Sequence, residues 1–129
     1  MAATFHFELV TPERLVLAGE AIQVVVPGAE GDFAVLVGHA PFISTLRPGI
    51  LEVTLPQGSQ RLLVKKGVAE ADPARLTVLA QTAVPVEELH GARLAGELQL
   101  AEAQATEAKD DLARMNAEAL LDVLKRLQL

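Results

Sequence analysis

The stretch Val26–Leu51 reads VPGAEGDFAVLVGHAPFISTLRPGIL and carries the clearest structural signals of the chain. Within it, Phe33–Val37 is a short apolar run rich in residues that favour β-strands. The preceding segment Gly28–Gly31 (GAEG) predicts a tight turn, because glycine adopts backbone conformations that other residues avoid. Pro48 and Gly49 predict another turn. The stretch therefore indicates short strands joined by turns.

The same pattern extends from Thr4 to Ala80. Apolar and polar residues alternate in the first segment, which is the period of a half-buried strand. Short strands are predicted at Thr4–Val10, Ala21–Val26, Phe33–Val37, Leu51–Leu55, Arg61–Lys65, Val68–Ala71 and Leu76–Ala80. Turn signals separate these segments at a spacing that favours an all-β sandwich or barrel. Because no long helical pattern lies between them, parallel βαβ units are not expected.

The composition changes between residues 84 and 88. All seven prolines lie at or before Pro85, whereas the residues that follow are mainly Ala, Leu, Glu and Gln, which favour helices. We therefore expect a β-sandwich domain at residues 1–85 and a helical hairpin domain at residues 86–129.

Two apolar stripes with helical spacing follow the composition change. They comprise Leu94, Leu98, Ala101 and Ala105, and then Leu112, Met115, Ala119, Leu120, Val123, Leu124 and Leu127. Glu87 and Glu88 predict the start of the first helix, and Thr106, Asp110 and Asp111 are candidate N-caps of the second. One continuous helix is the alternative, but we favour an antiparallel hairpin in which the two stripes cover each other. Such a hairpin is expected to bury little else and to be mobile.

Composition excludes several classes of protein. The 129 residues contain no cysteine, which excludes disulfides, thiolate metal sites and cysteine nucleophiles. The net charge is −6 and no basic stripe is present, so nucleic-acid binding is not expected. No apolar run reaches the roughly 18–20 residues of a membrane span, and the start MAATFHFELV lacks the pattern of a signal peptide. The near-absence of a leader also argues against a mitochondrial precursor.

No catalytic or metal-binding motif is evident. His6, His39 and His90 are far apart in the sequence, so their spacing predicts no metal site. We expect His6 to face solvent on a strand and His90 to lie on the polar face of a helix. Neither Ser44 nor Ser59 occurs in the G-x-S-x-G context of a serine nucleophile.

Two groups of residues near the quoted stretch are candidate site residues. Glu30 and Asp32 are close enough in sequence to act as an acid and a base, although such carboxylates usually mark a solvated loop. The following loop combines the imidazole of His39, the rigid Pro41 and the apolar ring of Phe42. We expect this loop near the Glu30 turn, as a binding edge. An enzyme would need a cleft that gathers His39 with one of the two carboxylates.

Several short motifs follow one another collinearly from Thr4 to Val84. They are Phe7–Glu13 (FELVTPE), Gly19, Gln23–Val26, Gly28–Gly31 (GAEG), Val35–Leu36, Gly38–Pro41 (GHAP), Leu46–Gly49 (LRPG) and Gly67–Ala71 (GVAEA). In this order they resemble the epsilon subunit of F-type ATP synthases, which is called delta in mitochondria. The resemblance implies a β-sandwich of about ten strands followed by a two-helix hairpin.

The resemblance also implies a function. Members of this family have no catalytic residues or cofactor of their own. They bind the gamma subunit at the foot of the rotating central stalk, touch the polar loops of the membrane c-ring, and help to transmit rotation between proton flow and ATP synthesis. The implied location is the cytoplasmic face of the bacterial inner membrane, reached only through the complex.

The family's c-ring contact falls on the acidic position after the G-x-E-G turn and on the G-H-A-P loop. By resemblance, these positions are Asp32 and His39 here, and the c-ring and gamma interface also includes Glu30, Pro41 and Phe42. The Asp32 carboxylate is expected to pair with cationic or amide groups of the c-ring loops. Such an exposed pair is worth only about 0–1 kcal/mol, so we expect it to set register more than affinity.

In many bacterial members the hairpin extends along gamma towards the catalytic head and blocks ATP hydrolysis. Some members bind ATP through a motif like I/L-D-x-x-R-A. Here Leu89 and Arg93 match that motif, but His90 and Leu94 replace the aspartate and the alanine, so weak or no ATP binding is expected. Basic and acidic residues are balanced in Lys109–Leu129, which disfavours strong docking on an acidic surface.

A different class of protein has the same architecture. A free-standing β-sandwich binding module with a helical oligomerisation tail would show the same strands and helices. Co-purification separates the two, because a stalk subunit must bring gamma with it.

Overall fold

The computed structural model describes residues 3–127, which form ten strands and two α-helices. The strands are β1 (Phe5–Val10), β2 (Leu15–Ala21), β3 (Gln23–Gly28), β4 (Gly31–Leu36), β5 (Phe42–Thr45), β6 (Gly49–Leu55), β7 (Gly58–Val64), β8 (Gly67–Asp72), β9 (Arg75–Ala80) and β10 (Ala83–Pro85). A short 3₁₀ helix (Val86–Glu88), α1 (Gly91–Glu107) and α2 (Asp111–Leu127) follow. The β-sandwich with a two-helix hairpin, implied by the resemblance, is confirmed.

The strands form two five-stranded sheets. Sheet 1 has the order β2-β1-β9-β8-β5, and sheet 2 has the order β10-β7-β6-β3-β4. All neighbouring strands are antiparallel except β1 and β9, which are parallel. In these orders β4 is an edge strand of sheet 2 and β5 is an edge strand of sheet 1, although the two strands follow each other in the chain.

The core lies between the two sheets. In β1, the side chains of Phe5, Phe7 and Leu9 are at most 2% exposed, whereas the intervening residues are half-buried. They meet inward-facing residues of sheet 2, such as Val24 and Leu51, which are fully buried. Burying each such side chain stabilises the fold by about 1.5–3 kcal/mol, so the alternation predicted from the sequence places the largest apolar groups in the core.

Three strands were missing from the residue-by-residue prediction, namely β2, β5 and β10. The prediction of a single strand at Ala21–Val26 was also wrong, because Ala21 ends β2 and β3 begins at Gln23. In β2 only Ala21 is buried, so its sequence lacks the buried alternation that marked β1. β5 and β10 contain only four and three residues, too few to show a period.

The helices begin and end at identifiable residues. Oδ1 of Asp110 accepts a hydrogen bond from the backbone N–H of Ala113 at 2.7 Å, so Asp110 is the N-cap among the three predicted candidates. Glu87 and Glu88 lie in the 3₁₀ helix, not in the first turn of α1. His90 precedes α1 as its N-cap residue, without a side-chain capping bond, so its predicted position on a helix face was wrong. Neither described helix has an apolar stretch long enough to cross a bilayer.

The hairpin covers the outer face of sheet 2. Leu98, Leu120 and Leu124 form a buried cluster with Leu63 and Val84 from the strands. Leu63 is 0% exposed although both of its neighbours in β7 point into the sandwich, because the helices lie over it. The prediction that the hairpin buries little besides itself was therefore wrong.

The exposed side of the hairpin also differs from the prediction. Leu112 and Met115 were assigned to the second apolar stripe, but their side chains are 67% and 65% exposed. The buried face of α2 instead starts at Ala117 and continues through Leu120 and Leu124. The first turn of α2 therefore extends beyond the cluster.

One ion pair joins the hairpin to the sandwich. Nζ of Lys65, just after β7, donates a hydrogen bond to Oε1 of Glu97 in α1 at 2.6 Å. The two side chains are only 20% and 18% exposed. Partial burial makes this pair stronger than an exposed surface pair, because less water screens the charges.

The first residue of β8 must be glycine. Gly67 has a φ of +152°, and a Cβ atom built there would lie 1.9 Å from the carbonyl oxygen of Leu79 in the neighbouring strand. That distance is far below van der Waals contact, and the obstacle is backbone of the core sheet. Gly96 in α1 is the opposite case, since its Cβ would meet no atom within 4 Å.

We expect Gly67→Ala to lower the free energy of unfolding by about 2–4 kcal/mol, because strain and a backbone clash act together. Gly96→Ala is the matched control and should raise that free energy by up to about 1 kcal/mol, since alanine favours helix. Urea unfolding of the two variants measures both changes. Equal stability of Gly67→Ala and the unaltered chain would contradict the close approach.

Candidate partner-binding site

The GAEG segment forms the turn between β3 and β4. Gly28 pairs with Gly31, so Ala29 and Glu30 make a two-residue connection at the tip. A Cβ atom at Gly28 would lie 2.7 Å from the ring of Phe33, so the turn requires glycine there. Glu30 is exposed at the tip, as the sequence indicates.

Arg47 fastens this turn to the segment between β5 and β6. Its Nη1 donates to the carbonyl oxygen of Gly28 at 2.7 Å, and its Nη2 donates to Oδ1 of Asp32 at 2.6 Å. Arg47 was not among the site residues predicted from the sequence. Arg47 is the only charged residue in the segment Phe42–Ile50. This isolation was a weak signal, because the sequence does not show that the arginine lies close to Asp32.

The two acidic candidates differ in their surroundings. Asp32 has a side chain that is 59% exposed but bound to Arg47 on one oxygen. The Glu30 carboxylate has no ion-pair partner in the described part of the chain. Asp32, which the resemblance places in the c-ring contact, is therefore already satisfied in part within the chain.

The ring of His39 makes two polar contacts that hold the loop between β4 and β5 in place. Its Nδ1 lies 2.7 Å from the carbonyl oxygen of Leu36, and its Nε2 lies 3.3 Å from the carbonyl oxygen of Arg75. A neutral imidazole carries one N–H and can donate to only one of these oxygens; the shorter contact favours donation from Nδ1. The ring also meets Phe5 edge-to-face, with centroids 5.2 Å apart. His39 thus joins this loop to the start of β9.

The two remaining candidates lie beside His39. The ring of Phe42 is half-buried and contacts Phe33 edge-to-face, with centroids 5.3 Å apart, while His39 lies 6.4 Å away. Pro41 is exposed. Phe42 therefore contributes mainly to packing, whereas Pro41 is accessible to a partner.

The Glu30 turn and His39 do not line a common groove, although Phe42 contacts Phe33 beside the turn. The turn and the loop of His39 lie at opposite ends of the six-residue strand β4, which is roughly 17 Å long at about 3.3 Å per residue. The prediction that His39 lies near the Glu30 turn was therefore wrong. A groove of about 370 Å³ beside the turn is lined by Glu30, Phe33 and Ile43, among others, but not by His39. The acid–base cleft that an enzyme would need is not formed by these residues.

The remnants of the nucleotide motif lie where the sandwich meets α1. Leu89 is buried in the cluster beneath the hairpin, and Nη1 of Arg93 donates to Oε1 of Glu88 at 2.9 Å. Across residues 3–127, no group of three His, Asp or Glu side chains is placed to hold a metal ion.

Sheet 1 has an aliphatic row on its outer face that the sequence analysis missed. Leu15 pairs with Val10, Val10 with Leu79, and Leu79 with Val68, across four adjacent strands. Leu15 is 53% and Leu79 is 41% exposed. We call these four residues the outer row. Unlike Leu63 on sheet 2, its members are not covered by the part of the hairpin that the structure describes.

The opposite end of the same face is charged. His6 pairs in register with Glu20 and Arg75, and its ring nitrogens lie 3.4 Å from the Glu20 carboxylate and 3.6 Å from that of Glu8. The outer face of sheet 1 therefore changes from charged to apolar along the strands.

Comparison with known proteins gives sequence relatives over nearly the whole chain. Residues 4–86 match the family model described as "ATP synthase, Delta/Epsilon chain, beta-sandwich domain". The ATP synthase epsilon chain of Parvibaculum lavamentivorans is 47% identical, covering 99% of this chain and 98% of the relative. That of Bradyrhizobium sp. (strain ORS 278) is 48% identical, covering 98% and 93%.

Solved structures show the same fold. A chain in the Euglena gracilis mitochondrial ATP synthase OSCP/F1/c-ring structure superposes with a TM-score of 0.75 and 26% identity, over 99% of this chain and 81% of that one. A chain in the Tetrahymena thermophila central stalk/c-ring structure has a TM-score of 0.71 at 11% identity, over 99% and 98%, which bears on fold alone. Because the family model spans residues 4–86 and epsilon-chain relatives are 47–48% identical over at least 93% of their length, the chain belongs to the delta/epsilon chain family of F-type ATP synthases.

Proposed function

We propose that this chain is a non-catalytic rotor subunit of the central stalk, which binds gamma and the c-ring and couples rotation to ATP synthesis. The proposal places it at the cytoplasmic face of a bacterial inner membrane, held there only through the complex. The observation that carries it is the 47% identity to an epsilon chain over 99% of this chain. The related Euglena chain comes from an assembly that contains F1 and the c-ring.

The outer row supports a gamma-binding surface on sheet 1. Its residues are aliphatic, partly exposed and contiguous across four strands, and a groove of about 280 Å³ lies beside Val10 and Leu79. Contiguous apolar surface of this kind marks binding sites. Because the hairpin covers the opposite sheet, sheet 1 is the face on which an apolar partner would bury the most surface.

The turn and the β4–β5 loop support a smaller polar contact with the c-ring. Glu30 and Pro41 are exposed at the two ends of β4, and Asp32 and His39 are held by contacts within the chain. Two rigid projections from one edge would set the register of the subunit on a ring of polar loops.

The hairpin is proposed to inhibit ATP hydrolysis only after it leaves sheet 2. In the folded arrangement the Lys65–Glu97 ion pair and the cluster around Leu63 hold it down. Two of the three cations of α2 are paired within the helix, because Arg126 lies 2.7 Å from Asp122 and Arg114 lies 3.8 Å from Asp111. Lys125 is the third cation. Little positive charge is therefore left to bind an acidic surface of the catalytic head, and weak inhibition follows.

To test the gamma surface, we expect Leu79→Glu to weaken capture of gamma by the tagged full chain at least about tenfold, because an unpaired charge would be buried. Leu112→Glu is the control, since Leu112 is 67% exposed on the hairpin and remote from the outer row. Gamma in the eluate is quantified from cell extracts, with melting temperatures checked for both variants.

Equal capture by Leu79→Glu and the unaltered chain would place gamma elsewhere. Failure of the unaltered chain to capture gamma, with recovery of the chain alone as an oligomer, would favour the free-standing binding module instead.

For the hairpin, we expect Glu97→Gln to raise amide exchange in α1 about tenfold, which corresponds to about 1.4 kcal/mol for a charge-assisted bond. Glu102→Gln is the control, because Glu102 is exposed on the same helix. In the assembled synthase, Glu97→Gln should also lower the rate of ATP hydrolysis. Faster exchange with an unchanged rate would show that the released hairpin does not inhibit.

A further inference from the structure

The backbone between the sandwich and α1 is bent at three consecutive residues. Leu89 has a φ of −95° and a ψ of 75°, and His90 is extended, with a φ of −147° and a ψ of 166°. Gly91 follows with a φ of +57°, which lies in the left-handed region that most residues avoid. We call residues 89–91 the bend, because they interrupt the helical backbone between the 3₁₀ helix and α1.

The backbone of the bend, and not its surroundings, requires glycine at position 91. A Cβ atom built on Gly91 would meet no atom within 4 Å, so a larger residue would fit there without a clash. It would have to adopt the left-handed φ, however, which strains an alanine and is tolerated better by an asparagine. Substitution of Gly91 therefore changes the energy of the bent backbone and leaves the packing around it intact.

The bent start of α1 leaves backbone groups without protein partners. His90 is the N-cap residue but makes no side-chain capping bond. Among residues 3–127, the backbone N–H groups of Ala92 and Arg93 have no hydrogen-bond acceptor. That of Leu94 reaches the carbonyl oxygen of His90 only at 3.4 Å. Helix starts of this kind gain stability when an acceptor is supplied to the free N–H groups.

The residues before the bend favour a helix start that the folded chain does not use. Glu87 and Glu88 suit the first turn of a helix, and Pro85 suits its entry. In the structure they form only a single 3₁₀ turn, in which the N–H of Leu89 donates to the carbonyl oxygen of Val86 at 2.9 Å. The segment Glu87–Arg93 (EELHGAR) contains neither proline nor a β-branched residue, so it can continue as an α-helix.

A straightened bend would join the 3₁₀ helix to α1. In a continuous helix each N–H group donates to the carbonyl oxygen four residues earlier. The N–H of Ala92 would then meet the carbonyl of Glu88, and that of Arg93 would meet the carbonyl of Leu89. The chain therefore carries two alternative starts for the same helix, one at Val86 and one at Gly91.

Two contacts favour the bent start while the hairpin lies on sheet 2. Leu89 is 3% exposed in the cluster that includes Leu63. Nη1 of Arg93 donates to Oε1 of Glu88 at 2.9 Å across the bend, and residues five apart do not face each other on a continuous helix. Burial thus favours the bent backbone and backbone hydrogen bonding favours the straight one, which is the condition for a two-state element.

We propose that residues 86–91 are a two-state helix start. While the hairpin lies on sheet 2, α1 begins at Gly91. When the hairpin leaves the sheet, the bend becomes helical and α1 begins at Val86, with Gly91 as the hinge residue that absorbs the change in φ. The inference concerns the chain itself, and only its consequence for ATP hydrolysis rests on the proposed function.

The test measures the ratio of released to folded hairpin in the full chain. Because the chain has no cysteine, Gln60→Cys and Met115→Cys, both at exposed positions, carry two spin labels. Pulsed electron paramagnetic resonance then gives the distances between the sandwich and the hairpin. We expect Gly91→Ala to raise the released-to-folded ratio at least about tenfold, since alanine disfavours the left-handed φ and favours the continuous helix.

Three further variants separate the hinge from a general effect on the helix. Gly96→Ala is the matched control and should stay within about twofold of the unaltered chain, because position 96 is helical in both states. Gly91→Asn should raise the ratio less than Gly91→Ala, because asparagine tolerates the bent φ. His90→Ser supplies an N-cap to the bent start, so it should lower the ratio about fivefold in the Gly91→Ala background.

Amide exchange gives a direct signature of the straight start. The amides of Ala92 and Arg93 should exchange more slowly in Gly91→Ala than in the unaltered chain, because they gain acceptors only in the continuous helix. A larger released population with unchanged exchange at these two amides would show that the hairpin detaches without straightening, and would overturn the inference. An unchanged ratio in Gly91→Ala, or an equal rise in Gly96→Ala, would overturn it as well.

The assembled synthase tests the proposed function separately. There Gly91→Ala should lower the rate of ATP hydrolysis, since more of the hairpin is released. If the free chain shows the expected ratio and exchange but the rate stays unchanged, the inhibition included in the proposed function fails and the two-state helix start stands.

Discussion

The two sheets of this sandwich are covered unequally, and this asymmetry organises the molecule. Sheet 2 is buried on both faces near the end of β7, where Leu62 points into the sandwich and Leu63 points under the hairpin. Within residues 3–127, sheet 1 is buried only on its inner face, so the outer row around Leu79 is partly exposed. One apolar face is therefore covered within the chain, and the other is partly exposed.

The contacts at the strand edges follow from how the chain crosses between the sheets. β4 ends one sheet and β5 ends the other, so the GHAP loop must pass from sheet 2 to sheet 1. His39 secures that crossing through Leu36 and Arg75, and Arg47 secures the return at the GAEG turn. Two residue types associated with chemistry, a histidine and an arginine, thus serve here to fix backbone positions.

Sequence patterns predicted the parts of this structure that depend on local periodicity. The alternation in β1 and the stripe containing Leu94 and Leu98 placed core residues correctly, because burial on one face imposes a period. The hairpin's position and the bonds of Arg47 depend on residues distant in sequence, and no local pattern encodes them. The adjacent apolar residues Leu62 and Leu63 indicate that β7 is buried on both faces. The sequence alone does not show that the hairpin is the element that covers the outer face.

The absence of cysteine allows a direct measurement of the proposed asymmetry. Single cysteines at Leu79 and at Met115, which is 65% exposed on the hairpin, are labelled with a water-soluble maleimide in the free chain and in the assembled synthase. We expect Leu79→Cys to react in the free chain and to be protected in the complex, whereas Met115→Cys should react in both. Equal labelling of Leu79→Cys in both states would contradict a partner bound on the outer face of sheet 1.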